Sequence, residues 1–95
     1  MTVLYKAPNK APEIIDIDNT LEALQAAVDG PVESLTICTD AVILCNEEAL
    51  FTDKAFNCRL CGVQFFGPIL VCGCNGDEFT DLKVPKVVMR LFGWS

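Results

Sequence analysis

Four cysteines in the second half of the chain have spacings that suit metal binding. Cys58 and Cys61 belong to a Cys-x-x-Cys-Gly sequence, and Cys72 and Cys74 follow after ten intervening residues. Thiolates presented by two loops can bind Zn²⁺ tetrahedrally. A small structural zinc-binding module is therefore one alternative function for this sequence, with zinc as the candidate cofactor.

Two features favour a different role for the same cysteines. A zinc ribbon normally presents Cys-x-x-Cys from each loop, whereas the second pair here is Cys-x-Cys. Strand spacing also places Cys72 and Cys74 on one face of a strand, where free cysteines pack as small apolar side chains. A redox role for Cys58 and Cys61 lacks the βαβ context typical of such motifs. We therefore predict core cysteines and no bound cofactor.

Histidine is absent from the 95 residues, and this absence excludes several kinds of chemistry. Ser-His-Asp and Cys-His catalysis, imidazole proton transfer and zinc sites containing histidine all require it. The chain also has no GxGxxG sequence and no GK[ST] phosphate-binding loop. We therefore expect a protein that is not an enzyme.

The charged residues are distributed unevenly along the chain. The net charge is −6, from 13 acidic and 7 basic residues, and residues 13–48 contain nine acids and no basic residue. Such a surface repels nucleic-acid phosphates and attracts basic proteins. A solvated face that only keeps a small domain soluble is the other interpretation of the same pattern. The acids that would form a partner-binding surface are Glu13, Asp16, Asp18, Glu22, Glu33, Asp40, Glu47 and Glu48.

The basic residues of the second half suggest another class of function. Lys83, Lys86 and Arg90 recur at helical spacing, and Arg59 precedes them. These four side chains would contact phosphates if the chain were an oligomer that sequesters a nucleotide signal in a pocket between subunits. The overall negative charge argues against this alternative.

The periodicity of apolar residues predicts a single α+β domain over residues 1–95, with two helices packed on a mostly antiparallel sheet in the order ββαββ-loop-ββα. Asn19 stands three residues before Glu22, as in a helix capping box, and Gly30 suits a left-handed cap at the helix end. The predicted elements are strands 2–7 and 13–18, a helix from 19 to 29, strands 32–38 and 41–45, a loop with a short helical turn at 46–59, strands 69–74 and 79–82, and a helix that begins at 81 or 83.

No segment resembles a signal peptide or a membrane span. The N-terminus reaches a polar residue within a few positions, and the uncharged stretch at residues 63–76 includes a proline and several glycines. We therefore expect a cytoplasmic protein that has no contact with membranes.

The order of several short motifs resembles a small domain-of-unknown-function family encoded by phages, plasmids and conjugative elements of Gram-positive bacteria. The strongest parts of the resemblance are the Thr-Leu-Glu-Ala-Leu-Gln helix start, the Cys45-Asn-Glu-Glu48 corner and the Phe66-Gly-Pro68 strand start. Further parts are Ile-Asp-Ile-Asp18, Asn57-x-Arg59 and Glu78-Phe-Thr-x-Leu82. The resemblance implies a small accessory protein of a mobile element that acts by binding, and it supplies no catalytic residues.

The charge pattern and the resemblance together lead to one expectation about function. We expect a non-enzymatic protein in the bacterial cytoplasm that presents an acidic surface to a basic host or anti-phage defence protein and inhibits it. Direct nucleic-acid binding is not expected, and self-association into a homo-oligomer is left open.

Overall fold

The fold is built on a six-stranded antiparallel sheet. The structure is a computed structural model that describes residues 1–38 and 40–94. Both helices and one β-hairpin lie outside this sheet. The strands are β1 (Thr2–Lys6), β2 (Glu13–Asp16), β3 (Val32–Cys38), β4 (Ala41–Asn46), β5 (Phe56–Leu60), β6 (Val63–Phe66), β7 (Ile69–Asn75) and β8 (Glu78–Thr80). The helices are α1 (Leu21–Val28), α2 (Pro85–Leu91) and a 3₁₀ turn at Ala49–Phe51.

Strand β7 is the centre of the sheet, whose order is β2-β1-β7-β4-β3. Leu70 of β7 pairs with Tyr5 of β1 on one side and with Leu44 of β4 on the other. The last residues of β7 pair with β8, which continues the line of β1. Because β7 is apolar over most of its length, it can be buried on both faces.

Successive side chains of a strand point to opposite faces of the sheet, and apolar side chains form a separate core on each face. On one face, Val42 and Leu44 pack with Leu24 and Val28 of α1. On the other face, Ile43 packs in a cluster that includes side chains of the β5–β6 hairpin and of α2. The result is a three-layer arrangement that confirms the predicted α+β class and places the two helices on opposite faces.

The predicted loop at residues 46–59 is wrong in part. The short helical turn is present, but β5 begins at Phe56 and forms a hairpin with β6. Cys61 and Gly62 connect the two strands, and both have positive φ, at 53° and 77°. Two consecutive left-handed residues are typical of a type I′ hairpin turn, in which glycine is favoured. The Cys-x-x-Cys-Gly sequence is thus a strand end followed by a turn.

The side chain of Asn57 fastens this hairpin to the sheet. Its Nδ2 donates hydrogen bonds to the carbonyl oxygens of Lys6 and Gly67, at 2.7 and 2.8 Å. Its Oδ1 accepts a hydrogen bond from Lys6 Nζ at 3.0 Å. One amide therefore joins β5 to the end of β1 and to the corner before β7.

The ends of α1 differ from the predicted caps. Thr20, not Asn19, is the N-cap, and its hydroxyl accepts a hydrogen bond from the backbone N–H of Ala23. Asn19 instead donates to the carbonyl oxygen of Phe79, which ties the helix start to β8. At the other end, Asp29 takes the left-handed conformation predicted for Gly30, with φ at 61°.

The described residues form two α-helices, α1 with eight residues and α2 with seven. Both are much shorter than the roughly 20 apolar residues that a helix needs to cross a bilayer.

Candidate functional site

The acidic residues predicted to form one binding surface are divided between different parts of the sheet. Glu13, Asp16, Asp18 and Glu22 lie on or after β2 and at the start of α1. Glu33, Glu47 and Glu48 lie at the end where β3 begins and β4 ends, whereas Asp40 precedes β4 at its other end. Since β4 has six residues, these two ends are about 20 Å apart. The eight carboxylates therefore belong to separate surfaces.

Two carboxylates in the acidic segment of the chain, residues 13–48, form ion pairs. Asp16 Oδ1 lies 3.1 Å from the Met1 amino group. Asp29, at the end of α1, forms an ion pair with Lys54. The three predicted surface residues near the end of β4, Glu33, Glu47 and Glu48, form no ion pair with another described residue.

The segment that follows β4, Glu47–Phe51, is the most exposed apolar feature near these acids, and we call it the tip. Leu50 is 72% exposed and Phe51 is 87% exposed, although both are large apolar side chains. The backbone N–H of Phe51 donates to the carbonyl oxygen of Glu48 at 3.0 Å, which closes the 3₁₀ turn. Ala49 is buried and anchors the turn. The tip thus holds two apolar side chains in water beside two carboxylates.

Asn46 holds the tip in place from below. This residue is buried, and its Oδ1 accepts a hydrogen bond from the backbone N–H of Glu48 at 2.7 Å. Its Nδ2 donates to the carbonyl oxygens of Val28 and Asp29, at 3.3 and 2.8 Å. The same side chain therefore satisfies the end of α1 and positions the start of the tip.

A shallow hollow of about 110 Å³ continues the tip towards the β5–β6 hairpin. Its lining includes Glu33 and Glu47 together with Leu50, Val63 and Phe65. Exposed aromatic and aliphatic side chains with a charged rim are typical of protein–protein interfaces, where such side chains act as anchors. The arrangement is suited to a protein ligand whose rim is basic.

Sequence reasoning identified the acids of this site and missed its apolar part. Leu50 and Phe51 lie in a segment that the sequence predicts to be a loop, between predicted strands that account for the core. The available signal was a pair of large apolar residues that follows Glu47, Glu48 and Ala49 and has no predicted strand or regular helix to bury it.

The four basic residues proposed for a nucleotide site do not line a common cavity. Lys86 and Arg90 lie on α2 beside β2. Lys83 lines a different hollow, of about 630 Å³, at the β7–β8 hairpin, where two carboxylates also lie. Arg59 is exposed on β5. The structure thus brings two of the four cations together.

The four cysteines proposed for zinc are divided between the two faces of the sheet. Cys72 and Cys74 face α1, whereas Cys58 faces the opposite core and Cys61 lies in the exposed hairpin turn. The four sulfur atoms therefore cannot bind one tetrahedral ion in this structure. Within residues 1–38 and 40–94, no three cysteine or carboxylate side chains are grouped closely enough to hold a metal.

Burial makes several of the thiols poor nucleophiles. Desolvation raises the pKa of Cys72 to about 12, and desolvation together with the nearby Glu33 carboxylate raises the pKa of Cys45 to about 11. Burial also raises the pKa of Cys58, although Lys6 opposes the shift. Because the thiolate is the reactive form, these groups are protonated and inert at neutral pH.

Thiol labelling at pH 7 should separate the cysteines according to this environment. We expect Cys61 to react with iodoacetamide at least about 100-fold faster than Cys72, because Cys61 is exposed and Cys72 is buried with a raised pKa. Peptide mass spectrometry after a time course gives the two rates. Labelling in guanidinium chloride, where the rates should converge, is the control. Equal rates in the native protein would contradict the placement of Cys72.

Comparison with known proteins gives one match. No curated protein and no solved structure is similar enough to this chain to count as a match. A family profile described as Domain of unknown function (DUF3846) matches residues 1–92, nearly the whole chain. The resemblance to a domain-of-unknown-function family is thereby confirmed, while an origin in phages or plasmids stays a prediction. The chain belongs to the DUF3846 family.

Proposed function

We propose that this protein is a non-enzymatic binding protein that docks its tip, Glu47–Phe51, on a basic surface of another protein. The observation that carries the proposal is the exposure of Phe51 beside Glu47 and Glu48. An exposed phenylalanine loses little by entering a partner's pocket and gains the free energy of burying its ring. Carboxylates around it select a partner with lysine or arginine at the rim.

The construction of the tip supports a role in binding. Ala49 is buried, and Asn46 holds the backbone of Glu48, so the turn is anchored before any partner arrives. A pre-ordered anchor avoids part of the entropy cost of association. The net charge of −6 accelerates encounter with a cationic protein and disfavours nucleic acid.

The chemistry of the side chains supports binding over catalysis. The chain has no histidine, and the raised pKa values of Cys45, Cys58 and Cys72 keep these thiols protonated. The proposal extends to the biological context inferred from the sequence, which is an accessory protein of a phage or other mobile element. In that context, the partner is a basic host or anti-phage defence protein in the bacterial cytoplasm, and docking inhibits it.

Photo-crosslinking in bacterial cells tests the docking of the tip. Phe51 is replaced by p-benzoylphenylalanine, which retains an aromatic anchor at the exposed position. We expect covalent adducts with one or a few basic proteins, identified by mass spectrometry. The double substitution Glu47→Lys and Glu48→Lys should reduce these adducts at least about tenfold, because it replaces attraction by repulsion at the rim.

A matched control separates the tip from the net charge. Asp77 and Glu78 are also adjacent exposed acids, but they lie at the β7–β8 hairpin. The substitutions Asp77→Lys and Glu78→Lys change the net charge equally and should reduce the adducts far less than the substitutions at Glu47 and Glu48. Adducts that survive reversal at Glu47 and Glu48, or that involve only acidic proteins, would contradict the proposal.

A further inference from the structure

A second exposed apolar surface lies at the opposite edge of the sheet, between β2 and α2. Two adjoining hollows of about 390 and 320 Å³ share Ile14 and Lys86 in their linings, and together they form what we call the groove. Ile14 and Val87 are both more than 40% exposed in it, and Val84 is 63% exposed. Pro12, Pro85 and Met89 add to its apolar lining.

The charge of the groove is opposite to that of the chain as a whole. Lys86 and Arg90 line it, and no carboxylate of residues 1–38 and 40–94 does. Asp16 is the acid on the same face of β2 as Ile14, and the Met1 amino group lies 3.1 Å from its Oδ1. Glu13, on the other face of β2, points away from α2. In the described parts of the chain, neither Lys86 nor Arg90 forms an ion pair.

The tip has the features that the groove requires of an occupant. It presents Leu50 and Phe51, which are largely exposed, one residue after Glu47 and Glu48. Apolar side chains and carboxylates therefore lie on one short turn, just as apolar side chains and cations lie together in the groove. Each surface carries the charge that the other needs.

The tip cannot enter the groove of its own chain. It follows β4, whereas the groove adjoins β2, and three inter-strand spacings of the sheet separate these strands, about 14 Å. Ala49 is buried and prevents the turn from leaving its place. A contact between the two surfaces therefore requires two molecules.

We propose that this protein self-associates head to tail, with the tip of one copy seated in the groove of the next. Leu50 and Phe51 pack against Ile14 and the apolar side chains of α2. Glu47 and Glu48 pair with Lys86 and Arg90. Because the two surfaces differ, the contact is heterologous and produces rings or short chains of molecules.

The contact is expected to be weak and reversible. A five-residue turn and a groove beside a seven-residue helix bury less area than a permanent interface, so dissociation constants in the micromolar to millimolar range are expected. This inference shares the tip with the proposed function but does not rest on it, because it concerns the purified chain alone. Self-association would cover the tip, so the basic partner and a second copy would compete for it.

Sedimentation equilibrium of the purified protein tests the inference. We expect the average mass to rise above that of the monomer between about 10 and 500 μM in dilute buffer, and to fall again when NaCl is raised to about 0.5 M. The variant Glu47→Lys/Glu48→Lys and the variant Lys86→Glu/Arg90→Glu should each weaken association at least about tenfold. A monomer over the whole range would overturn the inference.

A mixture of the two charge-reversed variants gives the decisive result. The basic tip of the first variant is complementary to the acidic groove of the second, and the native tip of the second is complementary to the native groove of the first. Association in the mixture should therefore return to the level of the unmodified protein. The variants Asp77→Lys/Glu78→Lys and Arg59→Glu change the charge elsewhere and should associate normally. Symmetric dimers that survive both reversals would show that a different surface is used and would also overturn the inference.

The result is independent of the crosslinking experiment. A monomeric protein whose position 51 still crosslinks to a basic protein would refute self-association and support the proposed function. An associating protein whose position 51 crosslinks only to other copies of itself would do the reverse.

Discussion

Replacement of Gly73 by alanine is expected to lower the melting temperature by roughly 12–24 °C, because it should cost about 3 kcal/mol of the free energy of unfolding. A Cβ atom at Gly73 would lie 2.3 Å from the carbonyl oxygen of Asp81 and 2.7 Å from the hydroxyl of Thr80. The contact with Asp81 involves its backbone, so no side-chain rotation can relieve it. The backbone that leaves β8 must therefore move.

The displaced segment has several attachments that would be strained together. The backbone N–H of Leu82 donates to the carbonyl oxygen of Thr2 at 2.8 Å, and the Asp81 carboxylate accepts a hydrogen bond from the N–H of Thr2 at 2.7 Å. The Leu82 side chain is buried in the core beneath α2. Since the segment leads into α2, Trp94 fluorescence should shift to the red in the same variant.

Thermal unfolding followed by circular dichroism measures the effect, and Gly62 supplies the control. A Cβ at Gly62 meets no atom within 4 Å, although its φ is 77°. Gly62→Ala should therefore cost only the strain of a left-handed alanine, about 1 kcal/mol. If Gly73→Ala were no more destabilising than Gly62→Ala, the close approach of Asp81 to β7 would be refuted.

Substitution of Asn46 by alanine should lower the free energy of unfolding by about 3 kcal/mol. The side chain makes three hydrogen bonds to backbone groups of Val28, Asp29 and Glu48, and the residue is only 6% exposed. Its removal leaves buried polar groups unpaired, and each costs about 1–3 kcal/mol. Urea unfolding gives the change directly.

The variant Asn46→Asp tests the two hydrogen bonds that Asn46 Nδ2 donates, because its free energy of unfolding should depend on pH. An ionised carboxylate at this position would face the carbonyl oxygens of Val28 and Asp29, so its pKa should be raised above that of an ordinary aspartate. A raised acid pKa in the folded state means that stability is lost above that pKa and regained as the pH falls through it. Stability relative to the unmodified protein should therefore increase towards acid pH, whereas that of Asn46→Ala should not. Parallel behaviour of the two variants would contradict the assigned contacts.

Most of the sheet was predictable because its strands are locally regular. The alternation of residues 32–38 and the apolar run that starts at Ala41 each indicate a strand within a few residues of sequence. The β5–β6 hairpin was not predicted because its residues do not alternate clearly between apolar and polar side chains. A register irregularity interrupts β5 between Phe56 and Cys58, and the turn residue before Gly62 is a cysteine that also suits a metal motif.

The sequence predicted which acidic residues contribute to the candidate site, but it did not predict where the fold places them. Acidic residues can be counted along a sequence, but the sequence does not show that β2, which carries Glu13, and β4, which Glu47 follows, are separated by two other strands of the sheet. The choice of Thr20 over Asn19 as the helix cap has a similar cause. Asn19 is used for a contact with Phe79, sixty residues away in the chain.

The position of β7 has a consequence for how the protein is made. The central strand of the sheet is synthesised late, and it joins β1 to β4 by pairing Val71 with both Leu4 and Ile43. Until it appears, the β1–β2 and β3–β4 hairpins have no common partner and expose apolar side chains on both faces. Pairings between such distant residues are slow to form, on a time scale of milliseconds to seconds. We therefore expect a nascent chain to be prone to aggregation until residues 69–75 have left the ribosome.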